Sequence, residues 1–497
     1  MPQNFFKNLF FFNKFIFILL KSNLLLDVSR LRFTKNHSKR LNLQSNIGKT
    51  LVHILPKFGP VFCKLGQILS IRPDIIGKEI SESLVVLQNK APPFPYKKIE
   101  KIFEKEFSKS LDESFESFEE DSVTAASVAQ VYKAKTKEGH YVAVKFLRPN
   151  IDKIYLQNLN FINTISSFIN LFLNKKNKIN ISEVTDVLKK NCEIELDLRL
   201  EAAAADKIRE NCKNDPDIYI PKIYWNLTSK NVLTAEWIDG IKINNQKKLI
   251  SENFDLKLIT KKLAIIFFNQ TCRDGFFHAD IHPGNILVKS NGDIALLDFG
   301  IVCHLNDQLR IFVVEVLHGF LNKNYEKVTE IHFDSGLIEN NQSRYKFELA
   351  CRSIGESIIG KSLQDISIAK LLKQLFEISK NFSVKINPDL LLLHKTILTI
   401  EGTGHLLNPE INMWNLATPW IQNWEKQNSG YRGKIKKINY LKNKITKNID
   451  KIILRNFGNN FNIRSSNINT NKGNISFLIF FSVTFFILGI IIGKFLL

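Results

Sequence analysis

Two short polar segments constrain this chain more than any other part of its sequence. The first is His278-Ala279-Asp280-Ile281-His282-Pro283-Gly284-Asn285, and the second is Asp298-Phe299-Gly300, which begins thirteen positions after Asn285. An Asp followed five positions later by Asn, and then by Asp-Phe-Gly, is the spacing of phosphoryl-transfer sites. In such sites one carboxylate faces the attacking hydroxyl or water, and an amide oxygen and a second carboxylate hold Mg²⁺ against the phosphates. The spacing predicts Asp280 as the general base and Asn285 and Asp298 as magnesium ligands.

The same residues allow two simpler interpretations. Asp, Asn, Gly and Pro are ordinary turn residues, so two unrelated turns would contain them as well. The order and the spacing together favour the phosphoryl-transfer site. His278 and His282 are four residues apart and suggest zinc, but the Glu of a HExxH motif is missing and Pro283 interrupts a helix. We therefore expect both histidines to be core residues or to support neighbouring site residues.

A lysine on a predicted strand is the third element of such a site. Val142-Ala143-Val144-Lys145 has the pattern of the strand lysine that contacts the α- and β-phosphates and pairs with a helix glutamate. The motif is weak alone, and its weight comes from its place 135 residues before Asp280. Glu195 and Glu201 are the candidate partners, although acids on an exposed helix face would look the same. Residues 236–240 stand where a hinge would bind adenine through backbone atoms.

The loop before this lysine departs from ordinary protein kinases. No GxGxxG motif precedes Lys145, and Thr124-Ala125-Ala126-Ser127-Val128-Ala129-Gln130 stands in its place. Alanine lacks the backbone freedom of glycine, so we expect a stiffer phosphate loop of different shape. Ordinary protein-kinase chemistry is therefore less secure than the other motifs imply.

The formal net charge of +21 raises the question of nucleic-acid binding. The charge is confined to the two ends. Residues 1–64 hold eleven Lys and Arg and one acid, and residues 426–472 hold twelve and one. The part between them is nearly neutral and has no nucleic-acid-binding motif, so we expect no nucleic-acid partner. The six cysteines form no CxxC pair, which excludes a zinc ribbon and a disulfide scaffold.

The two ends of the chain predict contact with a membrane. Residues 475–493 carry no formal charge and as a helix would be about 28 Å long, close to the thickness of the hydrocarbon core. The basic stretch before them keeps the body of the protein in the cytoplasm by the positive-inside rule. Residues 5–20 are apolar but interrupted by polar residues and lack a cleavage site, which makes a signal peptide improbable. We favour an amphipathic interfacial helix over a helix packed on the body of the protein.

Helix and strand patterns predict an α+β architecture. Residues 47–110 have helical patterns broken by prolines, and two strands at 130–134 and 140–145 follow. Residues 151–212 return to helix, and 218–240 are rich in strand patterns. From a helix at about 255–274 onwards, helices with a few short strands continue to about 425.

These motifs together resemble the UbiB family of atypical, protein-kinase-like proteins of ubiquinone biosynthesis, and the resemblance runs from end to end. The matching motifs are KxGQ at Lys64-Leu65-Gly66-Gln67, the Ala-rich loop at Thr124–Ser127, ExD at Glu195 and Asp197, the helix glutamate at Glu201, HxDxHPGN at 278–285, DFG at 298–300, and a late Glu401-Gly402. Thr124 instead of Ala, Ala204 instead of Asn and Gly77 instead of Pro depart from the pattern. None of these departures falls on Lys145, Asp280, Asn285 or Asp298.

The resemblance implies a two-lobed protein-kinase-like fold with an N-terminal helical KxGQ extension and a C-terminal transmembrane helix. The expected domains are 1–46, a basic, apolar interfacial segment; 47–114, the KxGQ extension; 115–240, an N-lobe with inserted helices; 241–425, a helical C-lobe; 426–474, a basic juxtamembrane segment; and 475–497, the membrane helix.

The resemblance also implies a role for individual residues. Asp280, Lys145 and Glu201 are expected to be catalytic, and Asn285 and Asp298 are expected to bind Mg²⁺. The residues expected to contact ATP are Lys145, Val131, Ala143, Ala125, Ala126, Ser127, Glu236, Trp237 and Ile238. The KxGQ helices are expected to close the cleft to large substrates, with Lys64 reaching toward Glu195 and Asp197, and Gln67 beside it.

Three functions stay open at this level. The first is an ATP-dependent membrane protein that supports ubiquinone biosynthesis and acts on lipid precursors or organises biosynthetic enzymes. The second is a true phosphotransferase with a protein or small-molecule acceptor, and the third is a nucleotide-sensing, lipid-binding scaffold without turnover. The expected cofactors are ATP and Mg²⁺, and the expected partners are anionic membrane lipids, ubiquinone precursors and other ubiquinone-biosynthesis proteins. A homodimer stays open, and the expected location is the bacterial inner membrane with a single-pass C-terminal anchor.

Overall fold

The computed structural model describes residues 17–429, except 19–20, 23, 35, 71–75, 86, 88–92, 126–127, 173–187, 190–191, 339–340, 360–366 and 383–386. Four of the predicted features therefore lie wholly or mostly outside the described residues: the apolar N-terminal segment, the loop residues Ala126 and Ser127, the basic juxtamembrane segment and the transmembrane helix at 475–497. Among the helices that the structure does describe, none is both long and apolar enough to cross a bilayer.

Four helices form the N-terminal extension. They are α1 (Leu24–Phe33), α2 (His37–Phe58), α3 (Pro60–Ser70) and α4 (Lys78–Leu84). The Asn36 side chain accepts a hydrogen bond from the Lys39 backbone N–H and caps α2. Gly59 separates α2 from α3, because its φ of +113° is not helical. Glycine adopts this backbone conformation without the strain that a side chain would cause. The KxGQ residues Lys64 and Gln67 therefore lie on α3.

A five-stranded antiparallel sheet follows the extension. Its strands are β1 (Phe115–Phe118), β2 (Thr124–Ala125), β3 (Ala129–Thr136), β4 (Tyr141–Leu147) and β6 (Val232–Glu236), in the order β1-β3-β4-β6 with β2 beside β3. Its accompanying helices are α5 (Tyr96–Phe107), α6 (Leu111–Ser114), α7 (Ile151–Phe172) and α8 (Leu198–Asn211). The two strands predicted around Gly139 are confirmed, and Gly139 has the positive φ (+86°) that their tight turn requires.

The two faces of this sheet have different environments because side chains alternate along a strand. On β3 and β4, Tyr132, Ala134, Val142, Val144 and Phe146 are buried, and they pack with Ile99 and Phe103 of α5. Burying each large apolar side chain stabilises the fold by about 1.5–3 kcal/mol. The alternate residues Val131, Ala143 and Lys145 are only half-buried on the other face. The sheet therefore has one core face and one face open to a cleft.

Short strands and a helix pair build the region after the sheet. The strands are β5 (Ile218–Tyr219), β7 (Ile241–Lys242), β8 (Phe276–His278), β9 (Ile286–Val288), β10 (Ile294–Leu296) and β11 (Val302–His304). One sheet has the order β5-β10-β9-β7, and β8 pairs with β11. The helices are α9 (Gln246–Ser251) and α10 (Leu256–Phe268). The helix predicted to residue 274 continues beyond α10 as a π-helical turn, Asn269–Asp274, which ends at Gly275 with φ +66°.

Six helices complete the described chain. They are α11 (Asp307–Leu321), α12 (Tyr325–Asp334), α13 (Arg344–Ile359), α14 (Ile368–Asn381), α15 (Pro388–Leu407) and α16 (Met413–Ser429). Helix α13 packs on α12 and α14, and α15 packs on both α14 and α10. The predicted α+β order, a sheet-bearing part followed by a mostly helical part, is therefore confirmed.

Candidate active site

The pairing of short strands brings the two polar segments of the sequence together. His278 at the end of β8 pairs with Val302 at the start of β11, and the β9–β10 hairpin separates Asn285 from Asp298. The Leu297 backbone N–H donates to the Asn285 carbonyl oxygen at 2.9 Å. The catalytic loop 278–285 and the Asp-Phe-Gly segment are therefore neighbours, as their spacing predicts.

Lys145 lies between two carboxylates on the open face of the first sheet. Its Nζ is 2.8 Å and 2.9 Å from the Glu201 carboxylate oxygens and 3.1 Å from Asp298 Oδ1. Strand β4 presents Lys145, the first turn of α8 presents Glu201, and the segment after β10 presents Asp298. Of the two candidate partners, Glu201 and not Glu195 contacts Lys145.

Charge and burial oppose one another in this cluster. Burial disfavours the Lys145 ammonium, but the Asp298 and Glu201 carboxylates outweigh it and raise the pKa of Lys145. The Lys145 ammonium in turn holds the pKa of Asp298 well below its usual range. Burial raises the pKa of Glu201 to about 7, against the attraction of Lys145. The ammonium and the Asp298 carboxylate are thus charged at neutral pH, which suits a phosphate and a cation respectively.

Asp298 has an unusual backbone conformation. Its φ of +58° lies in the left-handed region, which few residues other than glycine adopt. Such backbone strain is concentrated at functional sites, where the surrounding structure maintains it. The Asp298 side chain is 52% exposed, so solvent reaches it although it is bonded to Lys145.

The catalytic loop is held by hydrogen bonds at both ends. His278 is fully buried, and burial lowers its pKa, so the ring is neutral. Its Nε2 lies 3.0 Å from the Leu297 carbonyl oxygen, and its Nδ1 accepts from the Asp280 backbone N–H at 3.1 Å. Asn285 Nδ2 donates to the Asp280 carbonyl oxygen at 3.3 Å. His278 therefore supports the loop, as expected, and His282 accepts from the Gly284 backbone N–H within it.

One further residue at this loop could not be predicted from the sequence. Lys395 Nζ on α15 lies 2.8 Å from Asp280 Oδ1. Burial alone would raise the pKa of Asp280, but the Lys395 ammonium and the nearby histidines lower it. The two residues are 115 positions apart, and α15 carries no motif that marks Lys395.

The Ala-rich loop begins as a strand against β3. Thr124 pairs with Val131, and Ala125 pairs with Gln130. The buried Gln130 side chain accepts from the Phe94 backbone N–H at 3.0 Å and donates to the Tyr132 hydroxyl at 2.7 Å. These contacts fix the base of the loop, while Ala126 and Ser127 lie outside the described residues.

The predicted hinge, residues 236–240, connects β6 to β7 and the short strands and helices that follow the first sheet. The Trp237 backbone N–H donates to the Tyr141 carbonyl oxygen at 3.0 Å. The Glu236 carboxylate accepts from the Tyr219 hydroxyl at 2.6 Å and from the Lys222 backbone N–H at 3.1 Å. The Ile238 side chain is buried with Leu287 and Ala295. The Glu236 and Ile238 side chains are thus engaged with the protein itself.

The predicted gating residues separate into two groups. Lys64 Nζ lies 3.2 Å from Glu195 Oε1, and the Tyr155 hydroxyl donates to Glu195 Oε2 at 3.1 Å. Asp197 does not face Lys64: its carboxylate caps α8 and pairs with Arg199 at 2.6 Å. An Asp directly before a helix is a common N-cap, which explains this difference. Gln67 Nε2 contacts the Leu87 carbonyl oxygen at 3.5 Å.

The donor set fits a magnesium ion that is shared with a nucleotide. In the part of the chain that the structure describes, no group of three or more His, Cys, Asp and Glu residues could hold a metal on its own. Mg²⁺ commonly uses one or two protein oxygens and completes its shell with phosphates and water. Because Asn285 Nδ2 is bonded to Asp280, the Asn285 amide oxygen is left for a cation, and the Asp298 carboxylate adds the charge.

Two family models match the chain over these elements. The ABC1 atypical kinase-like domain matches residues 86–332, and the UbiB helical domain matches residues 351–412. The first covers the Lys145 cluster and the catalytic loop, and the second covers most of α13, α14 and α15. Among solved structures, Rv3197 from Mycobacterium tuberculosis, in complex with erythromycin, covers 73% of this chain and 93% of its own, at 23% identity and a TM-score of 0.49.

Curated bacterial proteins named probable protein kinase UbiB match most of the chain. The protein from Marinobacter nauticus is 36% identical over 79% of this chain and 72% of its own length. Those from Pseudomonas fluorescens and Azotobacter vinelandii are 34% and 35% identical over 78% and 75% of this chain. The predicted kinase-like fold is thereby confirmed, and the chain belongs to the UbiB family, with an ABC1 atypical kinase-like domain followed by a UbiB helical domain.

Proposed function

We propose that this chain binds ATP with Mg²⁺ in the cleft beside Lys145 and hydrolyses it in support of ubiquinone biosynthesis. The observation that carries the proposal is the Lys145 cluster. A lysine held by Glu201 and Asp298 at 2.8–3.1 Å lies next to a loop that presents Asp280 and Asn285. Phosphoryl transfer depends mainly on positioning and on charge stabilisation, and these side chains supply both.

Each residue in the cluster has a separate task. The Lys145 ammonium binds the phosphates and Glu201 holds it in place. Asn285 and Asp298 would hold Mg²⁺, and the bound ion would supply positive charge for the phosphate oxygens. Asp280 orients the attacking water and accepts its proton. The open face of β3 and β4, with Val131 and Ala143, lines the adenine side of the cleft.

Water is the acceptor that we favour. Lys64 of α3 is bonded to Glu195, which precedes Glu201 by six residues, so the extension is attached close to the nucleotide cleft. A helix attached there obstructs a large substrate more than it obstructs water. A protein or small-molecule acceptor is the second candidate, and transfer of labelled phosphate to such an acceptor would distinguish it.

The setting of the reaction follows from the family and from the ends of the chain. Membership of the UbiB family supports a role in ubiquinone biosynthesis, with lipid precursors and biosynthetic enzymes as partners. The basic stretch 426–472 and the apolar residues 475–493 suit a single-pass anchor in a bacterial inner membrane with anionic lipids. ATP hydrolysis at such a surface would aid access to precursors that are insoluble in water.

Asp298→Asn tests the proposal directly. The full chain is purified with and without vesicles that contain anionic lipid, and phosphate release from ATP is measured. We expect the vesicles to stimulate the wild type, and Asp298→Asn to lose at least about 100-fold in rate because a charged metal ligand is removed. Asp293→Asn, in the turn between β9 and β10, is the matched control.

The same variants are tested in a deletion strain by quinone profiling. Asp293→Asn should restore ubiquinone, whereas Asp298→Asn should leave a prenylated precursor to accumulate. Normal ubiquinone with Asp298→Asn would contradict the proposal. Nucleotide binding without any phosphate release would instead favour a nucleotide-sensing scaffold.

A further inference from the structure

The catalytic loop contains no lysine or arginine, yet its aspartate has a cationic partner. None of the eight residues from His278 to Asn285 carries a permanent positive charge. Lys395 of α15 supplies one from the helical domain, with its Nζ 2.8 Å from Asp280 Oδ1. The two side chains are 35% and 31% exposed, so this ion pair borders the cleft rather than the core.

Helix α15 is fixed against the loop at two consecutive positions. The Thr396 hydroxyl, next to Lys395, lies 3.3 Å from the Ala279 carbonyl oxygen, next to Asp280, and 2.8 Å from the Leu392 carbonyl oxygen of α15 itself. Farther along α15, Gly404 allows close packing on α10, since an added Cβ would lie 3.2 Å from Thr260 Cγ2. These contacts hold the part of α15 that carries Lys395 against the catalytic loop, within reach of Asp280.

The backbone of Asp280 is fixed independently of its carboxylate. Its N–H donates to His278 Nδ1 and its carbonyl oxygen accepts from Asn285 Nδ2. These bonds leave rotation of the side chain open. Among the described residues, Lys395 is the one that donates a hydrogen bond to the Asp280 carboxylate, and Oδ1 is the oxygen that accepts it. A charge-assisted bond to one oxygen restricts that rotation and determines where the other oxygen points.

We propose that Lys395 is a positioning residue that holds Asp280 so that its second oxygen faces the attacking nucleophile. The inference rests on the proposed ATP hydrolysis. In that step the water oxygen forms a bond to the γ-phosphorus, and the bond from phosphorus to the bridging oxygen breaks. The electron pair of the broken bond stays on ADP, and the proton of water passes to Asp280 Oδ2 and then to solvent. The helical domain thereby takes part in a reaction whose other residues lie in the kinase-like domain.

A purely structural ion pair is the competing explanation, and it predicts different kinetics. A positioning residue acts through Asp280, so its removal should lower kcat while the KM for ATP stays nearly constant. Its effect should also disappear when Asp280 can no longer accept a proton. A structural pair would instead lower the melting temperature and reduce the amount of active protein, whichever residue stands at position 280.

Steady-state ATP hydrolysis by the full chain in lipid vesicles tests the inference. We expect Lys395→Ala to lower kcat roughly 10- to 100-fold, since general-base catalysis contributes about 100-fold or more, with KM changed less than about threefold. Lys395→Arg should recover part of the loss. Lys370→Ala removes an exposed lysine from α14 and should have no effect. The double variant Lys395→Ala/Asp280→Asn should be no slower than Asp280→Asn alone.

Each remaining outcome would overturn the inference. An unchanged kcat in Lys395→Ala, or additive effects in the double variant, excludes a role through Asp280. If Lys395→Ala does not fold, Lys395→Gln replaces it, because glutamine keeps most of the length of the side chain. A normal kcat in Lys395→Gln would likewise exclude a role through Asp280. Normal turnover in these variants leaves ATP hydrolysis itself intact, whereas a wild type without turnover overturns the proposed function together with the inference.

Discussion

Lys145 shows how three distant parts of the chain define one charged group. Its ammonium is fixed by Glu201 from α8 and by Asp298 from the segment after β10. Neither carboxylate is next to it in sequence, yet both lie within 3.1 Å of it. The position of the ammonium is therefore set by the protein itself, which would reduce the reorganisation required by the ATP binding that we propose.

Lys145→Met should abolish the proposed ATP hydrolysis, although methionine preserves most of the volume of the lysine side chain. We expect ATP hydrolysis to fall at least about 100-fold, because a fixed charge directed at the phosphates is removed. Lys135→Met is the matched control, since Lys135 lies on β3 and pairs with the exposed Glu116 away from the cluster. Retention of more than half of the wild-type rate in Lys145→Met would contradict the assigned role.

We expect His332 to make the stability of the helical part depend on pH. It is buried between Phe312 and Phe347, and burial lowers its pKa to about 4. Between this pKa and the ordinary value of 6.5, the unfolded chain binds the proton more tightly. Stability should therefore fall as the pH decreases from about 6.5 to 4, by roughly 3 kcal/mol at about 1.4 kcal/mol per pKa unit.

Urea unfolding of the full chain between pH 4.5 and 7 measures this dependence. His332→Gln removes one such titrating group and should reduce the pH dependence of the free energy of unfolding. His405→Gln replaces an exposed histidine of α15 and should leave it unchanged. Equal slopes for the wild type and His332→Gln would show that other groups cause the acid sensitivity.

At the scale of elements, the site residues that could be predicted from the sequence are those that a short stretch of chain connects to one another. Asp280, Asn285 and Asp298 belong to one such unit, because only a hairpin separates them. Lys395 could not be predicted, since helix packing alone brings it to Asp280 and leaves no local pattern. Asp197, predicted beside Lys64, instead caps α8 and pairs with Arg199, because a helix cap is a local contact and Lys64 is distant in sequence.

Helices α2 and α4 approach closely at Gly48, which gives a prediction about glycine. An added Cβ at Gly48 would lie 2.5 Å from the Ser83 side chain and 3.2 Å from Ile80 Cα, so the helices would have to separate. We expect Gly48→Ala to lower the free energy of unfolding by about 1–3 kcal/mol. A Cβ added at Gly402 of α15 would have no atom within 4 Å of it. Gly402→Ala should therefore raise the free energy of unfolding by about 0.5–1 kcal/mol, because alanine favours the helix more than glycine does.

Chemical denaturation of the two alanine variants decides between packing and helix propensity. Effects of opposite sign follow if the contact at Ser83 determines the result at Gly48. If both variants are stabilised, then α2 and α4 separate without loss and the close approach has no energetic weight.

On the scale of the whole molecule, the N-terminal extension is attached to two different regions. Lys64 of α3 pairs with Glu195 near the kinase-like sheet, and Glu82 of α4 pairs with Lys373 of α14 at 3.0 Å. The two pairs differ in solvent exposure. The Lys64 side chain is 8% exposed, whereas both members of the second pair are largely in solvent. Exposed pairs contribute about 0–1 kcal/mol, so the buried pair should dominate the attachment.

Removal of each lysine tests this difference. In Lys64→Ala, the Tyr155 hydroxyl is the one partner of the Glu195 carboxylate that remains among the described residues. We therefore expect the free energy of unfolding to fall by about 1–3 kcal/mol. Lys373→Ala should change stability by less than about 0.5 kcal/mol. Hydrogen exchange of α2 and α3 in the full chain should accelerate in the first variant and not in the second. Adding Glu195→Gln to Lys64→Ala removes the unpaired charge and should restore part of the protection, and equal exchange in both lysine variants would show that apolar packing alone attaches the extension.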